Sequence, residues 1–153
     1  MHSAGDTSRT LSFYHTHTKD RLTVTYAHGK EYKAQALEAI DDFLKDFRDG
    51  AKANIDPALL DVLFDLREQL GSSGTYEVIS AYRSVATNEM LRARSNGVAQ
   101  HSQHVLGKAV DVRLDDVDTE LLRDTAIQMQ RGGVGYYRVS NFVHIDTGRV
   151  RRW

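Results

Sequence analysis

The sequence predicts an α+β fold, a small, mostly antiparallel sheet flanked by helices. Three observations lead there. Apolar residues recur at helical spacing in several segments, short alternating or β-rich runs open and close the chain, and helices dominate the first half while hairpin-connected strands fill the last part. The 153 residues are read as a single domain, 1–153, long enough to bury a proper core, with residues 1–10 expected to be flexible.

The elements follow in order. Leu11-Ser12-Phe13-Tyr14 and Leu22-Thr23-Val24-Thr25-Tyr26 alternate around a charged Lys19-Asp20-Arg21 and predict a β-hairpin. Leu37, Ile40, Leu44 and Phe47 recur at helical spacing, and Gly50 suits a C-terminal cap. Asp56-Pro57 is a helix start, with Asp as N-cap and Pro in the first turn, and that helix carries Leu59, Leu63, Leu66 and Leu70 to Gly71. Tyr76 to Ser80 predicts a strand, Thr87 to Ser95 a third helix, and Ala109 to Val112 a further strand. A fourth helix is expected from Asp118 to Gln130, with Gly132-Gly133 as its stop. Strands over Val134–Arg138 and Phe142–Asp146 complete the fold.

Composition narrows the function. A hydrophobic share of 41% and a charged share of 27% are ordinary for a soluble globular protein. The net charge of −1 gives no support for a nucleic-acid partner. The arginines of Arg149-Val150-Arg151-Arg152-Trp153 read as a solvated tail. The chain has no cysteine, which removes disulfides and thiolate metal sites. No apolar run approaches the roughly 20 residues of a membrane span. The polar start, Met1 to Asp6, is not a signal peptide.

Three stretches place polar groups where an ordinary strand would not. Asp111 stands at the centre of the apolar run Ala109-Val110-Asp111-Val112, seven residues after His104 and four after Gly107. In Asn141-Phe142-Val143-His144-Ile145-Asp146, alternation puts His144 and Asp146 on one face. In Ser80-Ala81-Tyr82-Arg83-Ser84 an arginine lies just past a strand. His104, Asp111 and His144 match a catalytic zinc set, in which three protein ligands leave the fourth position to water, and a metal would offset the desolvation of Asp111. Gly107 allows the turn that returns His104 to the strand. The plain alternatives are a hydrogen-bonded structural histidine, and an Asp111 that caps a helix or pairs with Arg113 or Arg83. His15 and His17 read as exposed hairpin histidines, and His101 as a neighbour of the site.

These residues also carry a resemblance. "SQHVLGKAVDV" is similar to the Ser-x-His-x-x-Gly-x-Ala-x-Asp motif of the zinc D-alanyl-D-alanine peptidases, whose fold is shared by the hedgehog signalling domain. "GGVGYYRVSNFVHIDTGRVRRW" closely resembles the C-terminal block of the MepK/YcbK-like murein endopeptidases, and "SAYRS" and "IDPALLDVL" fit that branch. The resemblance implies one catalytic Zn2+ on His104, Asp111 and His144, and a site arginine at Arg83. Ser102, the motif serine beside the first ligand, is a candidate substrate-binding residue. It implies hydrolysis of peptidoglycan stem-peptide cross-links by a metal-activated water, of DD- or LD-endopeptidase or carboxypeptidase type, in the periplasm once an export signal has been removed. The chain departs from the wider superfamily where an acid or histidine base is common, having Asn141 and Phe142 there.

Roles follow from these positions. Arg83 is expected to stabilise the oxyanion or bind a substrate carboxylate, its structural alternative being a salt bridge to Glu77. Asp146 is expected to be either the general base or the acceptor that orients a ligand imidazole. Tyr136, with Tyr137, is a candidate to line the cleft and donate a hydrogen bond to substrate. Two alternatives stand beside the hydrolase, a catalytically weak zinc-containing binding module of the same fold and a non-haem Fe(II) oxygenase.

Overall fold

The computed structural model describes residues 7–99 and 101–153. Strands β1 (Ser8–His15), β2 (Arg21–His28) and β3 (Glu31–Tyr32) lead into helices α1 (Ala34–Phe43) and α2 (Pro57–Gln69). Then come β4 (Tyr76–Ser80), α3 (Val85–Arg94), β5 (Ala109–Leu114), α4 (Thr119–Met129), β6 (Gly133–Tyr137), β7 (Phe142–Asp146) and β8 (Arg151–Arg152). One eight-stranded sheet runs in the order β3-β2-β1-β4-β5-β7-β6-β8. Pairing is antiparallel except at β1–β4 and β6–β8. This is the expected α+β fold with a mostly antiparallel sheet.

The central strands are buried on both faces, and alternate side chains join the apolar core. Val110, Val112 and Leu114 of β5 and Val143 and Ile145 of β7 enter the core, where they join Ile40, Leu59, Leu63, Leu66 and Leu122 of the helices. That leaves Asp111 and His144 on the other face, paired across the two strands. A register irregularity between Val78 and Ser80, beside Asp111, bends β4 at the site.

Several expectations need correction. Residues 8–10, expected to be flexible, begin β1, because Arg9 and Leu11 are buried in the β1–β2 pairing; residues 1–6 lie outside the described residues. The first helix stops at Phe43 rather than passing Phe47. The buried carboxylate of Asp46 accepts the N–H groups of Arg48 and Ser84, and that turn replaces further helix. His15 is buried at 1% exposure, its ring edge-on to Phe43 and Phe47, while His17 stacks on Phe47 in the open. The C-terminal segment is no free tail: β8 pairs with β6 and half-buries Arg151, while Arg149 and Arg152 stay exposed. No helix among the described residues is long and apolar enough to cross a membrane.

Candidate metal centre

His104 is held by its loop rather than by a regular element. Ser102 Oγ accepts the His104 N–H at 3.1 Å, and the His104 carbonyl accepts the N–H groups of Arg83 and Gly107. The turn closes at Gly107, whose φ of +70° and close approach to Asn54 O leave no room for a Cβ. Asp111 and His144 come from neighbouring positions of β5 and β7. The structure thereby brings the three sequence-predicted residues together, buried, with one potential ligand atom from each within 4.8 Å of the others.

The cluster is short of protons. His104 Nδ1–H donates to the carbonyl of Ala81 at 2.7 Å, which leaves the Nε2 lone pair 3.2 Å from Asp111 Oδ1. His144 Nε2–H donates to Asp146 Oδ2 at 2.7 Å, which leaves the Nδ1 lone pair 3.0 Å from the same Asp111 oxygen. With neutral imidazoles, three lone pairs face one point and no group among the described residues donates. A cation satisfies all three; so do two extra protons. Burial favours a neutral Asp111 carboxyl, but the facing imidazoles outweigh it and hold its pKa well below the usual range. Burial disfavours the His144 imidazolium, yet Asp111 and Asp146 reverse that and raise its pKa. Two imidazoles and a carboxylate fit a zinc ion with one position left open.

Asp146 is 1% exposed and fully engaged. Besides His144 it accepts the N–H groups of Gly133 and Gly148 and both terminal nitrogens of Arg151. Burial raises its carboxyl pKa, and His144 and Arg151 then drive it far below normal.

Over the cluster opens a cleft of about 310 Å³ whose walls include Arg83, His101, Ser102, Tyr137, Phe142 and Trp153. Asp111 is the only carboxylate among the described residues that line it. Arg83 is buried, donates to Asn88 Oδ1 at 3.0 Å, and its Nε has no hydrogen-bond partner among the described residues. Glu77, its alternative partner, is instead taken by Arg113. Tyr136 does not line the cleft. Strand alternation turns it toward the core side, opposite Val143 and beneath Arg123, and the neighbouring Tyr137 occupies the cleft wall. Asn141 also faces away, accepting a hydrogen bond from Thr119.

Sequence reasoning missed Arg151 and Trp153. The available signal was the alternation Gly133-Val134-Gly135, which leaves one face of a strand without side chains for something else to cover.

A mixed sheet backed by helices, with a buried His-Asp-His cluster at the floor of a cleft, fits a metal-dependent hydrolase. Comparison with known proteins agrees. Residues 3–153 match the family described as "Peptidoglycan L,D-endopeptidase MepK", and the chain belongs to that family of metal-dependent peptidases. A protein of that name from Escherichia coli strain K12 is 41% identical over 145 residues, covering 95% of this chain and 80% of its own length. One from Haemophilus influenzae, described as a probable peptidoglycan L,D-endopeptidase MepK, is 38% identical over 146 residues, covering 95% and 78%. This membership sets aside the Fe(II) oxygenase alternative.

Proposed function

We propose that the protein is a zinc peptidase that hydrolyses stem-peptide cross-links of peptidoglycan, acting in the periplasm, with His104, Asp111 and His144 as the metal ligands. The observation that carries it is the convergence of His104 Nε2, Asp111 Oδ1 and His144 Nδ1 at the floor of a cleft, each histidine having committed its other nitrogen elsewhere. Zinc bound there supplies a Lewis acid for the scissile carbonyl and a water acidic enough to attack near neutral pH.

The chain's own residues position the substrate and the ligands. Arg83 lines the cleft as a largely buried cation, placed to hold a substrate carboxylate or the oxyanion. Asp146 orients His144 rather than accepting the water's proton, because its oxygens are already occupied and sealed from solvent. Ser102 shapes the His104 loop, and Tyr137 takes the substrate-facing place expected of Tyr136.

The names of the relatives point to the L,D bond, in which an L-centre carbonyl meets a D-centre amine, as in a 3–3 cross-link between two diamino acids. Digestion of purified 3–3 and 3–4 cross-linked muropeptide dimers, read by mass spectrometry, tests this. Chelator-sensitive conversion of the 3–3 dimer to monomers is expected. Intact dimers in the presence of stoichiometrically bound zinc would favour the binding module instead.

A further inference from the structure

The last residues of the chain reach the metal centre across a strip of sheet that has no side chains. β8 runs parallel to β6, with Gly133 opposite Arg151 and Val134 opposite Arg152, and Trp153 continues the pairing through bonds to Val134 and Tyr136. On its other edge β6 pairs with β7, Gly135 standing opposite His144. Two rows therefore cross the sheet, Asp146–Gly133–Arg151 and His144–Gly135–Trp153.

A side chain at either glycine would displace the groups packed over it. A Cβ on Gly133 would lie 2.3 Å from Arg151 Nη1 and 2.7 Å from Asp146 Oδ2, and one on Gly135 would lie 2.4 Å from Trp153 Cε2. Through this trough Arg151 Nη1 and Nη2 donate to Asp146 Oδ1 and Oδ2 at 3.0 and 2.8 Å. The Trp153 indole lies 5.0 Å from the His144 ring, and its Nε1–H donates to the Tyr137 hydroxyl at 2.9 Å.

We infer that Arg151 and Trp153 are positioning residues of the metal centre, acting through Asp146 and on His144 across the glycine trough. This rests on the proposed metal reading. The forked guanidinium fixes the rotation of the Asp146 carboxylate, so one oxygen faces His144 Nε2–H. That bond keeps the Nδ1 lone pair aimed at Asp111. The indole fills the space into which the His144 ring would otherwise swing, and forms one lip of the cleft.

The test measures zinc affinity of the full chain by competition with a chromophoric chelator, alongside thermal melting of the zinc-free protein. Arg151→Gln and Gly133→Ala are expected to weaken zinc binding by about 10–100-fold. Arg151→Lys restores part of the loss. Trp153→Ala and Gly135→Ala, the second of which displaces the indole without removing it, weaken binding several-fold. Arg152→Gln, opposite Val134 and one step out of the row, leaves affinity unchanged. Zinc affinity falls by more than any lowering of the zinc-free melting temperature accounts for. Trp153 is the only tryptophan, so wild-type emission should change and saturate at one zinc per chain. Wild-type affinity in Arg151→Gln would overturn the inference. So would losses in Arg151→Lys equal to those in Arg151→Gln, or affinity that falls only in step with melting temperature. A wild-type chain that binds no zinc would instead overturn the metal reading beneath it.

Discussion

Asp111 Oδ1 lies within 3.2 Å of two imidazole nitrogens whose partner nitrogens have already spent their protons on Ala81 and Asp146. An arrangement of three acceptors at such range is unfavourable without a positive charge between them, so removing one acceptor should remove the ion. Asp111→Ala is expected to abolish tight zinc binding. Muropeptide cleavage should then fall by on the order of 1000-fold or more, the equivalent of several kcal/mol of lost electrostatic stabilisation. Asp146→Asn tests the other half of the geometry. The amide still accepts from His144 but turns an N–H2 toward Arg151 and the Gly133 and Gly148 donors, so zinc affinity should drop by about 10–100-fold, with activity restored at saturating zinc. A general base at Asp146 would instead leave affinity intact and lower kcat at every zinc concentration. Asp111 and His144 were legible as site candidates because each stands out locally, an acid inside an apolar strand and a histidine in register with another acid. Arg151 was not legible, because an arginine near a terminus reads as solvated until β8 is known to pair with β6.

At the scale of elements, the turn from Ser102 to Gly107 and the start of α2 are tied together. The Asp56 N–H donates to the Gly107 carbonyl, Asp56 Oδ1 caps α2 through the Ala58 N–H, and Asp56 Oδ2 accepts from Thr147 beyond β7. Gly107→Ala should destabilise the fold by more than about 1 kcal/mol, because it combines a positive φ with a clash against Asn54 O, and should misplace His104 as well. Asp56→Ala should cost about 1 kcal/mol from the lost cap, measured by denaturant unfolding. Helix α2 was readable from Asp56-Pro57 and its leucine spacing because those signals are local. The end of α1 was not. The apolar period continues through Phe47, and the helix stops only because Asp46 is recruited by the N–H of Ser84, thirty-eight residues away in sequence.

Over the whole molecule, acid stability should carry the signature of His15. Burial, with like charge from His17, lowers its pKa from 6.5 to about 4. The folded protein thus binds this proton more weakly than the unfolded chain. The stability contribution is complete above about pH 6.5, is lost as pH falls toward 4, and changes little below that, for a total of about 3 kcal/mol. His15→Asn keeps an acceptor for the His17 and Thr18 N–H groups but does not titrate, so its unfolding free energy should show a shallower decline over the same window. The central claim, a single metal held by His104, Asp111 and His144 with a side open to the cleft, is tested most directly by an anomalous-difference map recorded at the zinc edge from crystals of the zinc-loaded protein. The account predicts one peak enclosed by His104 Nε2, Asp111 Oδ1 and His144 Nδ1, with solvent on the remaining side. No peak there, or a fourth protein ligand closing the site, would contradict it.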